Sequence, residues 1–189
     1  MSLDWTALSD GELATLSLAG RQAAFAEIMR RHGQAIFRLS RGCIGDADEA
    51  LDLSQETFVA AYRAMARYDG ARPMRTWLSA IALNKCRDWT RKRKVRQFLS
   101  FAAPIGTDAE AVADTQVPVD DAASDRQELE RVRRAIAALP PSLKDPLVLH
   151  TIEGLSQADT AAVLAISEKA VETRLYRARA KLLEKLDAQ

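Results

Sequence analysis

The sequence has few of the residues from which metal centres, redox centres and β-rich folds are built. Its 189 residues include only two cysteines, eight glycines and 6% aromatic residues. Cys43 and Cys86 stand far apart, and no His or Cys accompanies them at metal-ligand spacing, so they predict buried free thiols rather than a metal site or a redox pair. We therefore predict no metal and no cofactor. Nothing in the chain supports an enzyme.

Long apolar runs are also absent. No segment approaches the roughly 20 residues that cross a bilayer, and the N-terminus lacks the basic and apolar regions of a signal peptide. These absences predict a cytoplasmic protein with no membrane insertion. The formal net charge is only +1, which predicts weak non-specific affinity for DNA, since that affinity grows with the number of phosphates neutralised.

Helical periodicity and a local change in composition predict the organisation of the chain. Residues 98–125 hold six acidic residues and no basic one, include Pro104 and Pro118, and show little periodicity. We predict an all-α fold of two small helical domains, residues 1–97 and 126–189, joined by this flexible acidic linker. The first domain should contain four helices, the last of them ending near Lys94 at a run of basic residues.

The stretch from Gly154 to Leu183 predicts two helices with a tight turn between them. Ser156 can cap the first helix and Ser167 the second. The second helix should bury the apolar residues Val171, Leu175, Ala178 and Leu182. Its other face would present Lys169, Glu172, Thr173, Tyr176 and Arg177. This is the build of a helix-turn-helix whose second helix can enter a DNA major groove, although a plain helical hairpin with a solvated face has the same pattern.

Two further polar faces are candidates for binding. Asp52, Gln55 and Glu56 form one patch on the third helix, and no His, Ser or Cys accompanies these carboxylates to suggest acid/base catalysis. The fourth helix has a polar side that includes Asn84 and Lys85. Its basic C-terminal end fits either a solvated terminus or a nucleic-acid contact. Periodicity alone leaves a solvated surface open for both faces.

Several motifs in order carry a family resemblance. Residues 52–58, Asp-Leu-Ser-Gln-Glu-Thr-Phe, resemble the D-L-x-Q-E-x-F segment of bacterial sigma factors. Residues 77–84 resemble the promoter-melting helix that follows this segment in the family. Residues 139–141, 153–156, 166–167 and 171–179 resemble the C-terminal helix-turn-helix of the family. The order, spacing and two-domain size are similar to those of the small extracytoplasmic-function group.

The resemblance implies a role for each face. Asp52, Gln55 and Glu56 match the patch that binds core RNA polymerase. Five residues fall on the part that binds the melted minus-ten promoter element: Arg75, Trp77, Asn84, Lys85 and Arg91. Five fall on the face that reads the minus-thirty-five element: Lys169, Glu172, Thr173, Tyr176 and Arg177. The resemblance also implies an anti-sigma factor that holds both domains, and the linker would let that partner lie between them.

Three residues depart from the family pattern, the first being Thr160, which stands where a larger apolar residue is usual, and one alternative function stays open. Ala165 stands where the family often has Gly, which would cost about 1 kcal/mol if the turn needs a left-handed residue. Glu172 stands at a place that is often basic, where it would repel phosphate or accept a hydrogen bond from cytosine. An autonomous helix-turn-helix regulator is the alternative, but it would need a dimerisation or ligand domain that the first ninety-odd residues do not clearly offer.

Overall fold

The structure is a computed structural model that describes residues 4–102 and 121–187, with side chains described for 4–99 and 126–187. In these residues the regular elements are all helices, which confirms the predicted all-α fold. The α-helices are α1 (Asp10–Leu18), α2 (Gln22–Ile44), α3 (Ala47–Ala64), α4 (Met74–Ala102), α5 (Asp121–Ala137), α6 (Pro141–Leu147), α7 (Gln157–Leu164) and α8 (Glu168–Asp187). Two 3₁₀ turns, Trp5–Ala7 and Met65–Arg67, and a π-helical turn, Val148–Ile152, complete them.

Local sequence explains where the helices of the N-terminal half (residues 4–102) begin and end. Ser9 and Glu12 form a capping box at the start of α1, and Asp46 caps α3 by accepting a hydrogen bond from the Glu49 amide at 3.0 Å. Gly45 ends α2 with a positive φ of 83°. The long amphipathic α2 packs against α3 and α4, and the core between them contains Ile28, Ile36, Leu39, Phe58 and Leu78.

The prediction that the fourth helix ends near Lys94 is wrong, because α4 continues to Ala102. No glycine or proline interrupts the sequence before Pro104, so nothing stops the helix earlier. The next helix also begins earlier than predicted, at Asp121 instead of Arg126. The predicted linker is therefore helical at both of its ends. The rest of that linker, residues 103–120, lies outside the described residues.

In the C-terminal half (residues 121–187), α7 and α8 form the predicted helix-turn-helix. Ser156 and Ser167 cap the two helices by accepting from the amides of Asp159, at 2.9 Å, and Ala170, at 3.2 Å. Ala165 lies in the turn with a φ of 53°, so this turn does need a left-handed residue. The α6 helix starts at Pro141, because Pro suits a first helical position.

The two halves pack directly against each other along a surface that we call the seam. At the seam, α2 and α4 meet α5, α7 and the π-helical turn. Gly42 permits the closest approach: a Cβ atom there would lie 2.8 Å from Ile152 Cδ1 and 3.3 Å from Val148 Cγ1. The buried Lys144 also crosses the seam and donates to the Cys43 carbonyl at 2.7 Å. The structure is therefore a closed arrangement of the two halves.

Candidate functional site

The three predicted residues of α3 lie together on an exposed face, which we call the α3 patch. Asp52, Gln55 and Glu56 are exposed and line an open groove of about 490 Å³. The other residues that line this groove are Val59, Ala60, Arg63 and Lys85. The α3 patch therefore combines acceptor groups with a shallow apolar floor, a composition suited to contact with another protein.

Four residues that line the groove were not in the predicted polymerase-binding set, and two of them, Val59 and Lys85, bear on its function. Val59 is 50% exposed, and it follows Asp52 by two helical turns, so helical periodicity could have found it. Lys85 was predicted to contact the minus-ten element, but its Nζ lies 3.1 Å from Glu56 Oε2. In this structure Lys85 therefore lies on α4 but contacts the α3 patch.

A second face runs along α4, which we call the α4 face. Trp77, Asn84 and Arg91 recur every two turns and so share one side of the helix. Asn84 and Arg91 are exposed, and Arg91 pairs with Asp88 at 2.8 Å. Trp77 is half-buried, with its ring centroid 5.2 Å from that of Tyr68. An exposed amide, a cation and a supported indole in one line can bind an unstacked base and its backbone.

Arg75 does not join the α4 face. It lies on the other side of the helix and contacts Glu153 of the C-terminal half, donating to the backbone carbonyl and, at 3.2 Å, to Oε2. Arg38 approaches the same carboxylate at 3.6 Å. The Glu153 side chain is fully buried, and this burial raises its pKa despite the two arginines. The structure therefore places Arg75 at the seam, away from Trp77, Asn84 and Arg91.

Further polar contacts cross the seam. Arg87 pairs with the buried Asp145 at 2.7 Å, and burial raises the pKa of that carboxyl. Thr76 donates to Asp159 at 3.3 Å. Arg41 also pairs with Glu130. Each contact joins residues far apart in the sequence, so periodicity gives no signal for it. Sequence reasoning missed Asp145, and it cited Glu153 only as part of a motif.

The predicted face of α8, which we call the α8 face, is open to solvent. Its five residues are exposed, and Tyr176 is 76% exposed. Lys169 pairs with Glu172 at 2.8 Å, so one cation of the face is partly neutralised. The Thr173 hydroxyl donates to the Lys169 carbonyl at 2.9 Å. The opposite side of α8 buries Val171, Leu175 and Ala178 as predicted, whereas Leu182 is only partly buried. The helix-turn-helix is thus built to present the α8 face outward.

The described residues carry no arrangement that suggests catalysis. No three or more His, Cys, Asp or Glu side chains among them could hold a metal ion. His32 contacts Asp10 at 2.9 Å and is therefore a hydrogen-bonded structural histidine. No helix in the described ranges is long and apolar enough to cross a membrane. What remains are three exposed faces on three helices, suited to binding.

Comparisons with known proteins identify the family. The family model described as Sigma-70 region 2 matches residues 28–96, and that described as Sigma-70, region 4 matches residues 129–182. The RNA polymerase sigma factor CnrH of Cupriavidus metallidurans is 42% identical over 183 residues, which cover 95% of each chain. The chain belongs to the RNA polymerase sigma factors. The ECF sigma factor SigM of Mycobacterium tuberculosis is 34% identical to this sigma factor. The match covers 92% of the present chain and 83% of SigM.

A solved structure supports the fold of this sigma factor. A structure of CnrH in complex with the cytosolic domain of CnrY superposes with a TM-score of 0.70 at 36% identity, covering 95% of this chain and 98% of that chain. The α3 patch and the α4 face lie within the region 2 match, and the α8 face lies within the region 4 match. The resemblance to extracytoplasmic-function sigma factors that the motifs indicated is confirmed.

Proposed function

We propose that this sigma factor binds core RNA polymerase through the α3 patch and directs it to promoters through the α4 and α8 faces. The observation that carries the proposal is the arrangement of these faces. In a chain matched by both sigma-70 regions, each predicted set lies on its own helix; the α3 and α8 sets are exposed throughout, and the minus-ten set exposes Asn84 and Arg91. The α3 patch has free carboxylate and amide groups around Val59, which suits a protein partner.

The decisive experiment measures assembly with core polymerase. Changing Asp52 and Gln55 together to Ala should weaken assembly about ten-fold or more, as truncation of central interface residues does. The matched control changes Gln127 and Glu128 to Ala, an exposed amide and an exposed acid on α5, outside the α3 patch. Unchanged affinity in the α3 variant would remove the assignment. Tight, specific binding to duplex DNA without polymerase would instead support an autonomous regulator.

The two DNA faces should act at different steps of initiation. Asn84 should contact melted DNA, because an exposed amide can read the edge of an unstacked base. Arg177 should contact duplex DNA, since a cation on an outward helix face can bind a groove or a phosphate. We expect Asn84→Ala to impair open-complex formation and Arg177→Ala to impair initial binding. Permanganate footprinting together with duplex binding separates the two defects, and identical defects would contradict the assignment.

The division into domains is part of the proposal. The two family matches fall on either side of residues 103–120, which supports domains 1–97 and 126–189 joined by 98–125. The acidic, proline-containing sequence should be cut first by proteases, between about Ala102 and Asp125. Two resistant fragments should result. Early cuts inside α2 or α8, with residues 103–120 intact, would contradict this division.

We further propose that an anti-sigma factor holds this protein inactive in the cytoplasm. CnrH was solved in complex with the cytosolic domain of CnrY, which supports a protein partner for this close relative as well. The sequence suggested a partner between the two domains, but the seam already fills that space, and Gly42 leaves no room at the closest point. The partner should instead wrap the outside of the closed arrangement and cover the α3 patch together with part of the C-terminal half.

Competition tests the wrapped arrangement. A co-encoded candidate partner should bind the full chain and exclude core polymerase. Its affinity should fall when Gly42→Leu separates the halves, since two linked surfaces then lose their fixed spacing. Gly33→Leu is the matched control on the same helix, because a Cβ at Gly33 would meet nothing within 4 Å. Equal affinity for the chain with and without Gly42→Leu would restrict the partner to one half.

A further inference from the structure

Two cysteines that are far apart in the sequence lie at one cavity beside the seam. Cys43 on α2 and Cys86 on α4 are each 2% exposed, and neither is in a disulfide. Both thiols line the same cavity of about 340 Å³. The packing of α2 against α4 therefore creates a thiol pair that the sequence spacing did not suggest.

Residues of the C-terminal half line one side of this cavity. Pro141, Lys144 and Asp145 form part of its wall. Lys144 donates to the carbonyl of Cys43 itself at 2.7 Å. Asp145 pairs at 2.7 Å with Arg87, the residue that follows Cys86. The thiols are thus covered by contacts that exist only while the two halves are closed.

The surroundings of the two sulfur atoms favour thiolate chemistry on one of them. A hydrogen bond with Cys43 lowers the pKa of the Cys86 thiol, while the same interaction raises the pKa of Cys43. In thiol pairs of this kind the thiolate is the nucleophile and its neighbour is the resolving thiol. Here Cys86 takes the first role and Cys43 the second.

We propose that Cys43 and Cys86 form a peroxide-sensitive dithiol whose access is controlled by closure of the seam. While the halves are closed, Pro141, Lys144 and Asp145 shield both sulfur atoms. When the halves separate, as binding to polymerase through the α3 patch and promoter reading would permit, the cavity opens to solvent. Intracellular disulfides that sense oxidation are transient, and a pair exposed only in the open state fits that behaviour.

The chemistry of the step balances with hydrogen peroxide as the oxidant. The Cys86 thiolate attacks one peroxide oxygen, the O–O bond breaks, and hydroxide leaves with the electron pair of that bond. The resulting sulfenic acid is attacked by the sulfur of Cys43, which gives up its proton. The S–O bond breaks, water forms, and the S–S bond joins α2 to α4. Two electrons pass from the thiol pair to the peroxide, and a dithiol reductant reverses the step.

Peptide mapping of the full chain tests the pair directly. After treatment with hydrogen peroxide and alkylation of the remaining thiols, mass spectrometry without reduction should find one peptide pair linked through Cys43 and Cys86 in a monomer. Reductant should release it. Cys43→Ser should stop at a sulfenic acid that dimedone labels, whereas Cys86→Ser should give no label. Disulfides only between molecules, or no linked pair at any peroxide concentration, would overturn the proposal.

A second experiment tests whether closure of the seam limits access to the two thiols. Arg75→Glu places a carboxylate beside the buried Glu153 and should open the seam through like-charge repulsion, at a site remote from the thiols. Because Arg75 is partly exposed, the N-terminal half should still fold. We expect cross-linking about ten-fold faster than in the unchanged chain, as a shift of the open population would give. The control is Arg72→Glu, an exposed loop position. Equal cross-linking rates in the unchanged chain and both variants would show that closure of the seam does not limit access to the thiols.

Discussion

The α4 face and the α8 face belong to halves of similar helical build, yet the closed arrangement treats them differently. The five predicted residues of α8 all face solvent. On α4, by contrast, Arg75 contacts Glu153 across the seam and Lys85 pairs with Glu56 in the α3 patch. Closure therefore engages Arg75 of the predicted minus-ten set, whereas the Lys85 pair lies within the N-terminal half, and the predicted minus-thirty-five residues stay accessible.

The contacts across the seam differ from the contacts within each half. Within α2, Glu27 is held by Arg30 at 2.7 Å and Arg31 at 2.8 Å, which lower its pKa to about 2. At the seam, burial raises the pKa values of Glu153 and Asp145 despite their arginine partners. A carboxylate that burial disfavours contributes less to closure than its geometry suggests. Glu153 and Asp145 are therefore less favourable as carboxylates than Glu27, which suits a contact that must open.

The largest expected effect comes from filling the closest approach at the seam. Gly42→Leu adds a side chain where even a Cβ would lie 2.8 Å from Ile152 and 3.3 Å from Val148. Overpacking of this kind costs about 1–3 kcal/mol. We expect the halves to separate, Arg75 to be released from Glu153, and the radius of gyration measured by small-angle X-ray scattering to increase.

The control for this variant is Gly33→Leu on the same helix, where a Cβ meets nothing within 4 Å. Gly33→Leu should leave the scattering profile unchanged and stabilise α2 slightly, since Leu has a higher helix propensity than Gly. An unchanged profile for Gly42→Leu would show that the seam can repack around a larger residue, and the comparison between the two DNA faces would then lose its basis.

Particular residues show how much of the structure could be predicted from the sequence. Ser9, Asp46, Ser156 and Ser167 cap helices in ways that neighbouring residues dictate, so helix starts and the helix-turn-helix could be predicted. The exposed face of α8 followed from periodicity in the same way. The end of α4 and the start of α5 were misplaced because helical residues continue past the expected boundaries.

What the sequence could not predict is contact between elements distant in the chain. Arg75 and Glu153 are each ordinary charged residues on helical segments, and neither carries a sign of the other. Gly42 lies inside α2 and permits a close approach at the seam, for which the sequence carries no sign. Cys43 and Cys86 were read as separate thiols because their proximity depends on how α2 packs on α4. These features arise from tertiary packing, for which periodicity and capping hold no information.

An acid titration sharpens the distinction between the N-terminal half and the seam. The pKa of Glu27 is lowered from 4.5 to about 2, so its contribution to stability is present above about 4.5 and is lost as the pH falls to about 2. Glu153 has a raised pKa, so its ionisation opposes folding. Its contribution to stability therefore increases as the pH falls, opposite to that of Glu27. Glu27→Gln should therefore flatten the loss of stability in this acid range, measured by urea unfolding at a series of pH values. An identical pH profile in the variant would contradict the assignment to Glu27.

A smaller effect is expected in the turn of the helix-turn-helix. Ala165 has a φ of 53°, a conformation that Gly adopts without a Cβ penalty. Ala165→Gly should raise the free energy of unfolding of the C-terminal half by about 1 kcal/mol. Ala162→Gly, at an exposed position inside α7, is the control and should lower it by a similar amount. If Ala165→Gly also destabilises, the entropy that Gly adds to the unfolded chain outweighs the relief of strain.

The smallest effect on stability concerns the α8 face. Lys169 and Glu172 form an exposed pair at 2.8 Å, and such pairs contribute at most about 0.5 kcal/mol to a helix. Glu172→Gln should leave the melting temperature nearly unchanged. Its effect on duplex binding should be clearer, because it removes a carboxylate from a face that meets phosphates and frees Lys169 to neutralise one.

We therefore expect Glu172→Gln to strengthen binding of the polymerase complex to duplex promoter DNA and to steepen its dependence on salt by about one released counterion. Glu184→Gln is the matched control, since Glu184 forms a similar exposed pair with Lys181 at 3.0 Å nearer the end of α8. If Glu172 instead accepts a hydrogen bond from a cytosine amino group, the variant will bind its cognate site more weakly and discriminate less against a changed base pair. Binding to cognate and altered duplexes over a range of salt concentrations separates these outcomes: a uniform gain identifies phosphate repulsion, and a loss confined to the cognate sequence identifies a base contact. Unchanged binding to both duplexes would show that Glu172 lies outside the DNA interface and that the α8 face is narrower than proposed.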